Sequence, residues 1–275
     1  MSVLRVGYRR FVPPARLRDV VEHAWVCWSV AGTREALLPD GRGLVLVVGE
    51  PAAWVSDPLT GVAVQESSVA RGPALNVEVR ETTRPGVRLG LQLTPVGLAR
   101  LWVPDHAHVG PGPRPAVPAS TVLGAEAVAT ITDALGTDDD AAVAAAWVAV
   151  GAVLRPDSDD VDRLTQALAL ARSARGLVRG PDLAREAGAS VNELHRWCWQ
   201  LLGMSTSQWL SAVRFSAFVR EYVGSGPVRV DDLVSTLRWY LAAGYSPREA
   251  ERFTGLPPAE LRRLADRLEQ SARAA

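Results

Sequence analysis

The chain has no lysine. All thirty of its basic side chains, in 275 residues, are arginine. A phosphate-binding glycine loop that ends in lysine is therefore excluded. Only two cysteines occur, Cys27 and Cys198, far apart and without metal-type partner spacing, so each reads as a small buried apolar residue. There is no Gly-x-Ser-x-Gly elbow and no legible thiol–histidine pairing, so no enzyme activity and no cofactor are expected. His106 and His108 lie two apart, but no third ligand stands at a recognisable spacing, and no metal is expected. Long apolar runs are also missing, and the N-terminus lacks a charged region followed by an apolar segment. No membrane partner and a cytoplasmic location are the expectation.

Net charge is zero but uneven. Residues 1–160 hold 14 arginines against 18 acids, and residues 161–275 hold 16 against 12. The basic second half suits a phosphate backbone, though the excess is modest for a DNA binder. A hydrophobic content of 48% is enough for genuine cores.

Up to about residue 109 the pattern is β-rich. Leu44–Val48 is a β-branched run after the turn signal Pro39-Asp40-Gly41, and Val87–Leu93 alternates at period two. Val96–Trp102 reads as a short helix. The proline-rich segment 110–118 is the strongest break in the chain. Beyond it the spacing predicts helices over Val122–Leu135, Asp140–Leu154, Val161–Ala174, Ser205–Val223, Val230–Ala242, Ser246–Thr254 and Pro257–Gln270. The expected fold is α+β, a β-rich barrel or sandwich followed by an all-helical domain. Its units would be a sensor-like domain over 1–118, a helical connector over 119–157 and a DNA-binding domain over 158–275.

Asp182–Trp197 carries helix-turn-helix grammar. Gly188 can take the positive φ that ends one helix, and Ser190 with Glu193 forms a capping box that opens the next. The second helix of such a unit is shaped to enter a major groove. Ser205/Gln208 and Ser246/Glu249 repeat the box. Gly188-x4-Glu193-Leu194-x-Arg196 returns as Gly255-x4-Glu260-Leu261-x-Arg263, a faint repeat that two such units would produce.

The residues Leu183-Ala184-x3-Gly188-x-Ser190-x3-Leu194-x-Arg196, Gly203-Met204-Ser205, Trp209-Leu210-x3-Arg214, Ala243-Gly244-Tyr245-Ser246 and Thr254-Gly255-Leu256-Pro257 occur in the order of the AraC/XylS transcription regulators, which this part of the chain resembles. The resemblance implies two helix-turn-helix units joined by one long helix. Phe11-Val12-Pro13-Pro14, Glu22-His23-x-Trp25, Leu38–Gly41 and Gly90-Leu91-Gln92-Leu93-Thr94-Pro95-x-Gly97 resemble a cupin-like sensor domain found ahead of that module. The branch of the family that repairs alkylated DNA needs clustered cysteines, which are absent here. The departure lies in the second unit. Only Pro247–Phe253, seven residues or ~10 Å of helix, stand where the second recognition helix belongs. Either that helix is vestigial, or the reader has moved to Pro257–Gln270.

Candidate DNA-contacting residues are Val191, Asn192, His195, Arg196 and Trp199 in the first unit, Arg214 on the long helix, and Arg248, Arg262 and Arg263 in the second. Arginine grips guanine and asparagine grips adenine with paired bonds. Alternatively Arg196 pairs with Glu193 or Glu186. Arg214 and Arg220 could position phosphates, or Arg214 could form an internal salt bridge. Trp25, Trp28, Trp54, Trp102 and Gln92, with His23 and Asp40, are candidates to line an effector pocket; the tryptophans could equally be ordinary core. The expected function is a DNA-binding transcription regulator with double-stranded DNA as partner, a small-molecule effector and a possible homodimer. The alternative is a degenerate regulator that binds a protein partner or a ligand and has lost specific DNA binding.

Overall fold

The computed structural model describes residues 7–102, 116–156, 158–224 and 226–273. The first part is built from β1 (Gly7–Phe11), β2 (Val21–Ser29), β3 (Arg34–Leu37), β4 (Leu44–Val48), β5 (Ala53–Ser56), β6 (Ala63–Gln65), β7 (Val69–Arg71), β8 (Glu78–Thr82) and β9 (Gly86–Leu93). They are followed by α1 (Gly97–Leu101) and β10 (Val117–Pro118). One antiparallel sheet runs β1-β2-β9-β4-β7-β10. A second contains β3-β8-β5-β6.

Period-two alternation decides which side chains meet which core. Leu89, Leu91 and Leu93 of β9, with Val45 and Val47 of β4, face one way and are fully buried. That face is covered by α2 (Ala119–Leu123), α3 (Ala125–Ala134) and α4 (Asp139–Val153), whose Val122, Ile131, Ala142, Ala146 and Val150 complete the core. The helices of 119–153 thus do more than connect, since without them the sheet's apolar face would be open to water. The single helix expected over Val122–Leu135 is instead two, because Gly124, at φ +86°, ends α2 and starts α3.

The remainder is helical: α5 (Asp159–Ser173), α6 (Gly180–Glu186), α7 (Val191–Trp197), a π-type turn over Cys198–Leu202, and α8 (Thr206–Val223). Then come α9 (Val230–Ala242), α10 (Pro247–Thr254) and α11 (Pro258–Arg273). α5 to α7 and the start of α8 share one core around Leu164, Leu168, Leu183, Leu194, Trp197 and Trp209. The end of α8 and α9 to α11 share another around Phe215, Leu233, Leu237, Leu261 and Leu264. Both cysteines are buried and free. No described helix is long and apolar enough to cross a membrane.

The helical part is locked to the sheets at several places. The indole Nε1 of fully buried Trp209 donates to the Gly41 carbonyl at 2.8 Å. Glu22 of β2 accepts from Arg172 of α5 and from Arg42. Between α8 and α9, a two-residue strand β11 (Val228–Arg229) adds to the edge of the second sheet beside β3.

Candidate nucleic-acid interface and effector cavity

α6, the turn and α7 fold as local chemistry dictates. Gly188 sits at φ +58°, a backbone conformation that costs glycine little. The Glu193 amide donates to Ser190 Oγ at 3.2 Å, and Glu193 Oε2 accepts from the Ser190 amide at 2.8 Å. Those bonds from Ser190 hold the Glu193 carboxyl below the usual range. Leu183, Ala184, Leu194 and Trp197 turn inward. Val191, Asn192, His195 and Arg196 turn outward, with Val191 51% exposed. Trp199 is half-buried beside them, and its Nε1 donates to His195 Nε2 at 2.9 Å. An accepting Nε2 places the proton of neutral His195 on Nδ1.

The Glu193 carboxylate is committed to the cap, and among the described residues Arg196 has no ion-pair partner. Its neighbours Arg179 and Arg185 differ, since both pair with Asp182. The turn itself is gripped from α5 by a residue the sequence did not single out, Arg163. It donates to the carbonyls of Ala187, at 2.8 Å, and Gly188, while its guanidinium lies 5.1 Å from the Trp197 ring centroid. No short motif marks that role, because it joins positions 24 and 25 residues apart.

Arg214 is half-buried and bonds within its own helix, to the Leu210 carbonyl and Ser211 Oγ, and burial lowers its pKa. In the second unit, Ser246 and Glu249 form the expected cap and α10 spans eight residues. It exposes Arg248, Glu251 and Arg252, while Ala250 and Thr254 are buried. On α11, Arg262 and Arg263 are exposed opposite buried Leu261, Leu264 and Leu268. Val191, Asn192, His195 and Arg196 therefore form one contiguous face, whereas Arg248 and the Arg262/Arg263 pair stand on separate helices.

The candidate pocket residues do not gather. Trp25 and Gln92 line a cavity of about 560 Å³ together with Tyr8, Arg10, His23 and Arg220. Trp28 and Trp102 pack instead against the core under α2–α4, and Trp54 is 48% exposed. The reason is register. A bulge between Val21 and His23 shifts the alternation of β2, so His23, Trp25 and Cys27 face the cavity while Ala24, Val26 and Trp28 face the helices. Trp25 presses against Gly90, where any Cβ would come within 2.2 Å of the indole, and it stacks with Tyr8 at 6.1 Å.

Five arginines border this cavity: Arg10, Arg42, Arg71, Arg80 and Arg220. Arg42 is held by Asp40 and Glu22, Arg71 by Glu78, and Arg80 by Glu66 and Glu35. Arg10 and Arg220 have no carboxylate partner among the described residues. Arg10 contacts His23 Nδ1 at 3.2 Å, and Arg220 donates to the backbone carbonyls of Gly224 and Gly226. Burial, then the Arg10 and Arg42 charges, pull the His23 pKa down to about 4, so its ring is neutral near pH 7. The result is an aromatic wall with two cations that form no ion pair among the described residues, one from β1 and one from α8, with Asp40 of the same wall acting on Arg220 through space. Arg220, a candidate to position phosphate from the sequence, borders the cavity. Among the described residues no group of side chains could hold a metal ion, and His106 and His108 lie outside them.

No family model matches the chain, and no curated protein matches it. Solved structures with a similar layout do exist. Unsaturated-fatty-acid-bound ToxT from Vibrio cholerae strain SCE256 is 12% identical over 94% of this chain and 96% of that one, at TM-score 0.39. ToxT from Vibrio cholerae O395 is 10% identical over 94% and 98%, at 0.41. The AraC-like transcriptional activator CuxR is 12% identical over 83% and 91%, at 0.30.

Proposed function

We propose that this chain is a DNA-binding transcription regulator of AraC type whose activity answers to a small molecule held in the first part. The observation that carries the reading is the outward face of α7, where Val191, Asn192, His195 and Arg196 stand together and Arg196 has no ion-pair partner among the described residues. These are the residue types that read guanine, adenine and a thymine methyl, along the outward face of a capped second helix. Arg214, Arg248, Arg262 and Arg263 are secondary candidates for DNA contact.

The effector cavity supports the ligand-responsive half of the reading. Its volume is that of a small-molecule site, and Arg10 and Arg220 favour an anionic head group on an apolar or planar body lying against Tyr8 and Trp25. Because Arg220 belongs to α8, such a ligand would touch both parts of the protein and shift the population of their arrangements.

Selection from a random duplex pool tests the proposal. Recovery of a defined motif is the expected result. Binding that is weak, salt-sensitive and unselective would leave only the phosphate term and defeat it. That result would favour a protein-partner role, for which the exposed rings of Tyr222, Trp239 and Tyr245 beside α9 offer a surface.

A further inference from the structure

α7 runs straight into the π-type turn Cys198–Leu202, which Gly203 closes at φ +75°. Trp197, Cys198 and Leu202 are buried in the core of the first unit, so the backbone is pinned on both sides of Trp199. Thr206 adds a hydrogen bond to Cys198 Sγ at 3.3 Å. Trp199 is thereby held half-buried and edge-on to the His195 ring, with the ring planes at 79° and the centroids 6.1 Å apart. In that pose its Nε1 donates to His195 Nε2 at 2.9 Å. Widened turns of this kind occur frequently where a helix serves a site.

We propose that Trp199 is a positioning residue that sets part of the base preference of α7 by locking His195 into one tautomer. The inference rests on the regulator reading above. Indole N–H is a donor only, so the ring nitrogen it faces must be unprotonated. Neutral His195 then carries its proton on Nδ1, an atom with no hydrogen-bond partner among the described residues, on an exposed side chain beside Asn192 and Arg196. In the major groove that N–H can meet an acceptor, which is guanine N7 or O6, adenine N7 or thymine O4. It cannot accept from the N4 amino group of cytosine. The opposite tautomer would present a lone pair at Nδ1 and reverse that choice. Arg196 is a donor in any state, and Asn192 carries both roles in one amide. Among these outward polar side chains only His195 changes role with the position of a proton, and Trp199 decides that position.

Long-range proton–nitrogen correlation spectra of the free protein near pH 8, where an ordinary imidazole is neutral, read the tautomer directly. His195→Asn identifies the signal among the four histidines. Wild type should show a protonated Nδ1 and a bare Nε2, and Trp199→Phe should show both tautomers. Trp199→Arg, which restores a donor-only group, should return the proton to Nδ1. On selected duplexes, the base pair at which His195→Ala loses discrimination marks the contact. There wild type should reject cytosine by about ten-fold and Trp199→Phe by about three-fold or less, with other base pairs and the salt slope unchanged. A bare Nδ1 in wild type, or cytosine rejection that survives in Trp199→Phe, overturns the proposal. So does His195→Ala that loses discrimination at no pair. A loss in Trp199→Phe spread evenly over all duplexes also overturns it, because Trp199 then supports the fold alone. A protein that selects no duplex, yet releases the Nδ1 proton in Trp199→Phe, would sink the regulator reading and leave the tautomer lock standing.

Discussion

Replacing Arg163 by methionine keeps most of the side chain's length and apolar contact but removes the grip on the helix-turn-helix. Two donations to carbonyls at the end of α6 are lost, one half-buried at Ala187 and one exposed at Gly188. The half-buried, charge-assisted bond is worth about 1.5 kcal/mol and the exposed one roughly 0.5. The guanidinium over Trp197 adds about 0.5–1 kcal/mol. A cation at a helix C-terminus also offsets the dipole there. Together these give roughly 2–3 kcal/mol, a fall in Tm of roughly 4–12 °C at the entropy of a chain this long. Urea and thermal unfolding followed by CD measure it. Arg163→Lys should recover only part, since an ammonium cannot span both carbonyls with a planar fork. If Arg163→Met stays within about 0.5 kcal/mol of wild type, a range typical of featureless surface positions, the turn is held by its glycine and cap alone and the reasoning fails.

Trp209→Phe removes the bond to the Gly41 carbonyl and leaves that acceptor buried, so urea unfolding should show a loss of about 2–4 kcal/mol. Gly90→Ala must displace the Trp25 ring, so its tryptophan emission should shift and stability should drop by about 1–3 kcal/mol; unchanged emission would mean the ring does not press on Gly90. His23 has a folded pKa of about 4, below its unfolded value, so the unfolded chain binds the extra proton first as pH falls. Stability should therefore decline between about pH 6.5 and 4. His23→Gln, which cannot titrate, should reduce that slope while leaving stability near pH 7 little changed.

What the sequence disclosed was set by range. The capping boxes at Ser190, Ser205 and Ser246 join residues three apart, so the pattern and the bonds coincide. The strands at Leu44–Val48 and Val87–Leu93 were visible for the same reason, the first as a β-branched run after a turn signal and the second through its own alternation. Trp25 and Trp28, three apart on β2, fall on opposite faces by alternation, but which of them meets the core could not be read, because the bulge at Val21/His23 changes parity without a sequence signature. Nor could β11 be foreseen. Two residues carry no periodicity, and its partner lies nearly two hundred positions earlier. Arg10 and Arg220 likewise met at the cavity only through the docking of α8 against the second sheet. Arg42, Arg71 and Arg80 looked the same in sequence, and only their carboxylate partners set them apart.

The central claim is that α7 reads bases, and one measurement bears on it most directly. Wild type, Arg196→Ala and Asn192→Ala are titrated by fluorescence anisotropy against the selected duplex and against duplexes with each base pair changed in turn, across a salt series. The account predicts that each variant loses about 1–3 kcal/mol at one or two particular base pairs and becomes indifferent to substitution there, with little change in salt slope. A uniform loss across all duplexes, or none, would contradict it and assign the α7 face to phosphate contact or to no DNA contact at all.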